Sequence, residues 1–185
     1  MGFFGRLSRR RKSVAEVVFD DARVSTTYPD WVAFTAMREA CMIDFVLLAH
    51  EPARDRQYAT VLYRAAMTGY TAKQLLTALQ TAIQRCEQQF GKIQGHAGRL
   101  PQAGEIAVTG EPPDPMYVNC ARVTPTPEGV VMDFAFNFAS AFVSGKVRIL
   151  HRVVVGFYLA ETLVQRMLSE IRDHEFRFGE IEIDV

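Results

Sequence analysis

The chain repeats itself, and that repeat constrains its fold more than any local pattern. Met42-Ile43-Asp44-Phe45 returns as Val131-Met132-Asp133-Phe134 at an offset of 89 residues, and the same offset carries Glu16 onto Glu105 and Tyr28 onto Tyr117. Farther along the offset is 88, which takes Arg64 onto Arg152, Leu75 onto Leu163, Ile83 onto Ile171, Glu87 onto Glu175 and Phe90-Gly91 onto Phe178-Gly179. A one-residue difference between the second hairpins accounts for the change. The unit runs from Glu16 to Ile93 and again from Glu105 to Ile181. Repeats of this kind are single supersecondary units that bury their apolar faces against one another. The division is therefore a tail over 1–13, a first unit over 14–93, a linker over 94–104 and a second unit over 105–183. The two units are expected to pack as one body. The linker reading rests on three glycines and a proline between Gln94 and Gly104, a composition that breaks regular structure.

Periodicity within the units predicts three strands and a helix in each. Val130, Met132, Phe134, Phe136 and Phe138 alternate with Val131, Asp133, Ala135, Asn137 and Ala139, the period of two of a half-buried strand. Trp31–Met37 and Val118–Thr124 fit the strands before, Tyr58–Met67 and Lys146–Val155 the strands after. A short leading strand or extended arm fits Val14–Val24 and Glu105–Thr109. Leu75, Leu76, Leu79, Ile83, Cys86 and Phe90 recur three or four residues apart, the stripe of an amphipathic helix. Thr71 with Gln74 fits a capping box, and Gly91 stands where a helix end favours glycine. Leu163, Val164, Met167, Ile171, His174 and Phe178 form the matching stripe. Its start, Gly156-Phe157-Tyr158-Leu159, has no polar cap. The expected fold is α+β: two β-β-β-α repeats with antiparallel meander sheets, each packed by one C-terminal helix and related by pseudo-twofold symmetry.

In this order of features the unit resembles the small uncharacterised bacterial and archaeal family labelled domain of unknown function 3467. The resemblance rests on Tyr117-Val118-Asn119, Asp133-Phe134, Arg152 and Phe178-Gly179-Glu180-Ile181 in the second copy. In the first it rests on Tyr28-Pro29-Asp30, Asp44-Phe45, Arg64, Ala72-Lys73-Gln74-Leu75-Leu76 and Phe90-Gly91-Lys92-Ile93. The first copy departs at Asp30, where the family shows Asn. The second departs at Ala160-Glu161, where it shows Ala-Lys. Members are usually single units, so two in tandem imply a fused pseudo-dimer. The resemblance implies no catalytic role for any residue. The architecture is also loosely similar to that of the secretion chaperone SecB, a likeness of fold that does not fix function.

Composition narrows the remaining choices. The chain has 185 residues, 49% of them hydrophobic and 23% charged, a globular composition. Its 21 basic and 21 acidic residues are unevenly spread: residues 1–13 hold Arg6, Arg9, Arg10, Arg11 and Lys12 and no acid. The body that follows is mildly acidic, which argues against nucleic-acid binding by the body itself. The cysteines, Cys41, Cys86 and Cys120, are widely spaced and odd in number, so they suit neither a disulfide framework nor a zinc site. We read them as reduced and structural, which favours the cytoplasm. The apolar run Val153–Ala160 is too short to span a bilayer. None of the four histidines has metal-ligand spacing, and phosphate-loop, dinucleotide and serine-hydrolase signatures are missing. No cofactor, metal or small-molecule substrate is expected.

Two sets of residues carry the interaction reading. Asp44 and Arg64, and likewise Asp133 and Arg152, fall on successive strands, where antiparallel pairing sets them opposite each other. Such a pair fixes strand register; the alternative is a ligand-binding pair. In the tail, Phe3, Phe4 and Leu7 interleave with Arg6, Arg9, Arg10, Arg11 and Lys12. That composition suits an anchor for anionic lipid, an electrostatic arm for nucleic acid or an acidic partner, or a solubilising tail. The expectation is a non-enzymatic protein-interaction or assembly module, in concrete form a chaperone-like binder of extended peptide, with a protein partner and homo-oligomerisation both open. The alternative is a membrane-peripheral or nucleic-acid adaptor working through the tail.

Overall fold

The computed structural model describes residues 18–21, 23–51, 56–91, 106–137 and 146–182. The first unit supplies β1 (Val18–Asp20), β2 (Thr26–Thr27), β3 (Trp31–Ala36), β4 (Cys41–Glu51), β5 (Arg56–Met67) and α1 (Gly69–Phe90). The second supplies β6 (Ile106–Val108), β7 (Met116–Tyr117), β8 (Cys120–Thr126), β9 (Gly129–Ala135), β10 (Lys146–Gly156) and α2 (Phe157–Phe178). Among the described residues the fold is α+β, with two helices and two mixed sheets.

In each unit three strands pair antiparallel, as the alternation predicts: β3-β4-β5 and β8-β9-β10. The leading segments change the picture from two pure meanders. β1 and β2 pair in parallel with β10 of the other unit, and β6 and β7 pair in parallel with β5. The registers correspond under the repeat. Val18 lies opposite Lys146 as Ala107 lies opposite Tyr58, and Thr27 opposite Val153 as Met116 opposite Ala65. A parallel neighbour cannot be reached through a tight turn, so the edge left open by each unit's last strand is filled from the other unit. Both long hairpins also bulge at matching places, Leu62 in β5 and Leu150 in β10.

The helices cross as well. α1 packs chiefly on β8 and α2 chiefly on β3, and the helices touch each other. The expectation of one helix folded over its own sheet is corrected here. Thr68 alone separates β5 from α1, and nothing separates β10 from α2. With no connecting loop the chain cannot double back over its own strands, so each helix runs on across the partner unit. α1 starts at Thr68, whose hydroxyl accepts from the Thr71 amide at 3.2 Å. The cap thus lies three residues before the expected box, and Gln74 bonds the Tyr70 hydroxyl instead. α2 starts at Gly156 with no side-chain cap, in keeping with its sequence.

These crossings merge two small cores into one. A single cluster joins Val32, Phe45, Tyr63, Leu75 and Leu79 to Val130, Phe134, Val153, Leu163 and Met167. At its centre the sheets meet through aromatic rings: Phe45 lies 5.7 Å from Phe134, and Tyr63 stacks on His151 at 4.0 Å. A unit of this size alone buries little; the shared core supplies what neither half has. No helix in the described residues is long and apolar enough to cross a membrane.

Candidate functional site

The paired carboxylates and guanidiniums come first. Asp44 lies directly opposite Arg64, and Asp133 opposite Arg152. Arg64 donates to both Asp44 oxygens at 2.6 and 2.8 Å, the two-pronged geometry that guanidinium and carboxylate favour. The second copy builds more on the same frame. Asp133 accepts from Arg152 Nε at 2.6 Å on one side and from Arg122 at 2.6 and 2.9 Å on the other. Both arginines also bond Asp21, at 2.7 and 2.6 Å, which holds that carboxyl below its ordinary range. Phe19 lies under the Arg122 guanidinium at 4.8 Å. Phe19 and Asp21 belong to the arm of the first unit, so this network ties that arm to the second unit's sheet.

Asp133 is 1% exposed, and strand β9 is covered on both faces rather than one. Its arginines and the arm close over what alternation predicts as the solvent side. Arg122 and Asp21 were not singled out by the repeat, because their counterparts are Ala33 and Gly110. The available signal was position: Arg122 sits on the third strand of the row that already holds Asp133 and Arg152.

The tail residues Phe3, Phe4, Arg6, Leu7, Arg9, Arg10, Arg11 and Lys12 lie outside the described residues. The cysteines are free; Cys41 and Cys86 are buried and Cys120 is half-buried. Burial pushes the Cys41 thiol up to about 11 and raises Cys120 as well, which leaves both poor nucleophiles at neutral pH. Among the described residues no three His, Cys, Asp or Glu side chains gather as a metal site would require.

Two surface features remain. Among the described residues β3 has one hydrogen-bonded neighbour, β4, and β8 has one, β9. The second feature is a cleft of about 620 Å³ between α1 and α2, lined among others by Ile83, Glu87, Glu161 and Arg166.

The model of the family described as "Protein of unknown function (DUF3467)" matches the chain twice, over residues 8–95 and 98–183. The chain belongs to this family. It carries the DUF3467 unit as a tandem duplicate, and the Asp-Arg frame and the aromatic centre described above are built from equivalent positions of the two DUF3467 copies. No curated protein and no solved structure matches the chain.

Proposed function

We propose that this duplicated DUF3467 chain is a non-enzymatic protein-interaction module, a single-chain pseudo-dimer that takes an extended segment of a protein partner along β3. The observation that carries the proposal is the chemistry of that edge. Trp31–Ala36 reads Trp-Val-Ala-Phe-Thr-Ala, with neither charge nor proline, and among the described residues it has one strand neighbour. Proteins ordinarily protect such an edge with lysine, proline or a covering segment. The corresponding edge strand of the second unit has that protection: β8 contains Arg122 and Pro125, and proline lacks the amide donor. Exposed Tyr28 and Met37 flank β3 at its two ends. The corresponding registers of the exchanged arms support the pseudo-twofold relation. They are also a precedent for strand addition within the chain, since β5 and β10 each accept an added strand from elsewhere in it. Recognition by strand addition takes affinity from the backbone and selectivity from alternate side chains.

The test is binding of labelled extended peptides with alternating apolar residues, read by fluorescence anisotropy. Binding that resists salt and is lost in Thr35→Lys, with the circular dichroism spectrum unchanged, is the expected result. Binding that vanishes when residues 1–13 are removed, and is screened by salt, would overturn it in favour of the basic tail.

A further inference from the structure

Asp21 closes an arginine clasp that a different carboxylate holds in shape. Asp133 accepts from Nε of both guanidiniums, Arg152 at 2.6 Å and Arg122 at 2.9 Å. Arg122 and Arg152 lie directly opposite Asp133 on the strands to either side of it. The sheet itself therefore orients the clasp, with no help from the arm. A terminal nitrogen of each arginine then donates to one and the same oxygen of Asp21, at 2.7 and 2.6 Å. Asp21 is the most exposed member of the network, at 54% against 1% for Asp133.

The other copy shows that an arm needs no such clasp. There Val108 and Gly110 stand in place of Phe19 and Asp21, and Ala33 in place of Arg122. That arm is held on β5 by parallel backbone pairing, with the Thr109 hydroxyl 3.2 Å from that of Thr60. Only the β10 side reads side chains: the ring of Phe19 against Arg122, and the carboxylate of Asp21 across both arginines. The arm read in this way is also built to part from the sheet. β1 is three residues long, and Arg23, between β1 and β2, has φ 59°, the left-handed region that costs a residue with a Cβ. Letting β1 go relaxes that link. Without Asp21 the two guanidiniums face one carboxylate, which leaves a single positive charge. One further carboxylate balances it; a dianionic phosphate would overshoot.

We propose that the β10 edge and the Arg122–Arg152 clasp bind an extended segment of a partner protein that carries an aromatic residue and, two positions later, an acid. The segment lies parallel to β10 as β1 does, by strand addition, with its ring on Arg122 and its carboxylate across both arginines. The chain's own arm is the resident competitor, and the partner displaces it. This rests on the interaction-module reading but uses an edge other than β3.

The experiment uses the full chain and a labelled, amidated peptide with the sequence of residues 16–23, compared with the same peptide carrying asparagine in place of the second aspartate. Anisotropy is read for the unaltered protein, for Asp21→Asn, and for Asp21→Asn combined with Arg122→Gln, with thermal unfolding checked for each. Asp21→Asn loosens the resident arm, so it should bind the acidic peptide about tenfold more tightly than the unaltered protein and about tenfold more tightly than it binds the asparagine peptide, the scale of a charge-assisted contact. Adding Arg122→Gln should remove that gain. Equal binding of the two peptides by Asp21→Asn, or no gain over the unaltered protein, would overturn the assignment, and both comparisons hold whether or not the double variant folds. A concentration-dependent dimer of the unaltered chain that the peptide dissociates would overturn it too, by giving the site to the arm of a second copy. Thr35→Lys should leave acidic-peptide binding intact while removing apolar-peptide binding at β3, so either proposal can fail without the other.

Discussion

Tyr63 and His151 occupy the same position in the two copies and stack on each other, 4.0 Å between ring centroids and 12° between planes. Each sits opposite the equivalent phenylalanine, Phe45 or Phe134, in its own sheet. The copies therefore meet through their own equivalents at the centre of the shared core. The Tyr63 hydroxyl is buried with no hydrogen-bond partner among the described residues, while His151 Nε2 lies 3.2 Å from the Thr27 hydroxyl of the exchanged arm.

That contact predicts a pH dependence. Burial lowers the His151 pKa from 6.5, so the folded state binds its proton less readily than the unfolded state. Stability is then full above about pH 6.5 and falls as pH drops below it. Between pH 7 and pH 5 the melting temperature should decline, and His151→Phe should flatten the decline in that window. An equal decline in both proteins would assign the effect to other groups.

The buried carboxylate sets the second prediction. Asp133 is 1% exposed and neutralises two arginines that are each about a third exposed or less. Asp133→Asn leaves both guanidiniums facing an amide and should cost about 3 kcal/mol in urea unfolding. Asp44→Asn removes one pair whose members are both 21% exposed, and should cost about 1 kcal/mol. A ratio near one would show that Arg122 and Asp21 add nothing to the second copy.

What could be read from the sequence was what repeats or alternates. The Asp-Arg pairs were legible because two residues on adjacent strands recur at nearly constant offset, and the helices because their apolar stripes are local. The arm exchange was not legible, since Thr26-Thr27 has the same local character whichever unit it joins. Only the openness of the β5 and β10 edges decides that choice, and it is a property of the folded sheet. Arg122 and Asp21 escaped because the comparison of copies hides a residue that one copy lacks. The cap moved from Thr71 to Thr68 because both threonines offer a start one turn apart, and the end of β5 selects between them.

Close packing at a hairpin gives the third prediction. Gly129 begins β9 opposite Gly156, and a Cβ there would fall 2.1 Å from the Val155 carbonyl oxygen. Backbone on the far side cannot move aside as a side-chain tip could, so Gly129→Ala should destabilise by about 3 kcal/mol. Gly156 faces open space and is the N-cap of α2. Gly156→Ser should supply the missing cap and stabilise by a few tenths of a kcal/mol. Thermal unfolding of the two variants should move in opposite directions.

The exchange of arms and helices predicts how the halves behave apart. A first half expressed alone presents β5 with no second-unit arm, an unpaired row of donors and acceptors. Its own arm can fill that edge only in another molecule, so the isolated half should dimerise. Such a homodimer would place Asp21 beside Ala33 rather than Arg122, and it would lose the network around Asp133. Mixing the two halves should therefore favour the one-to-one pair over either homodimer. Native mass spectrometry of separately expressed halves, divided within residues 94–104, reads this directly. Two monomers that ignore each other would mean that the exchanged segments do not hold the body together, and the pseudo-dimer reading would fail with them.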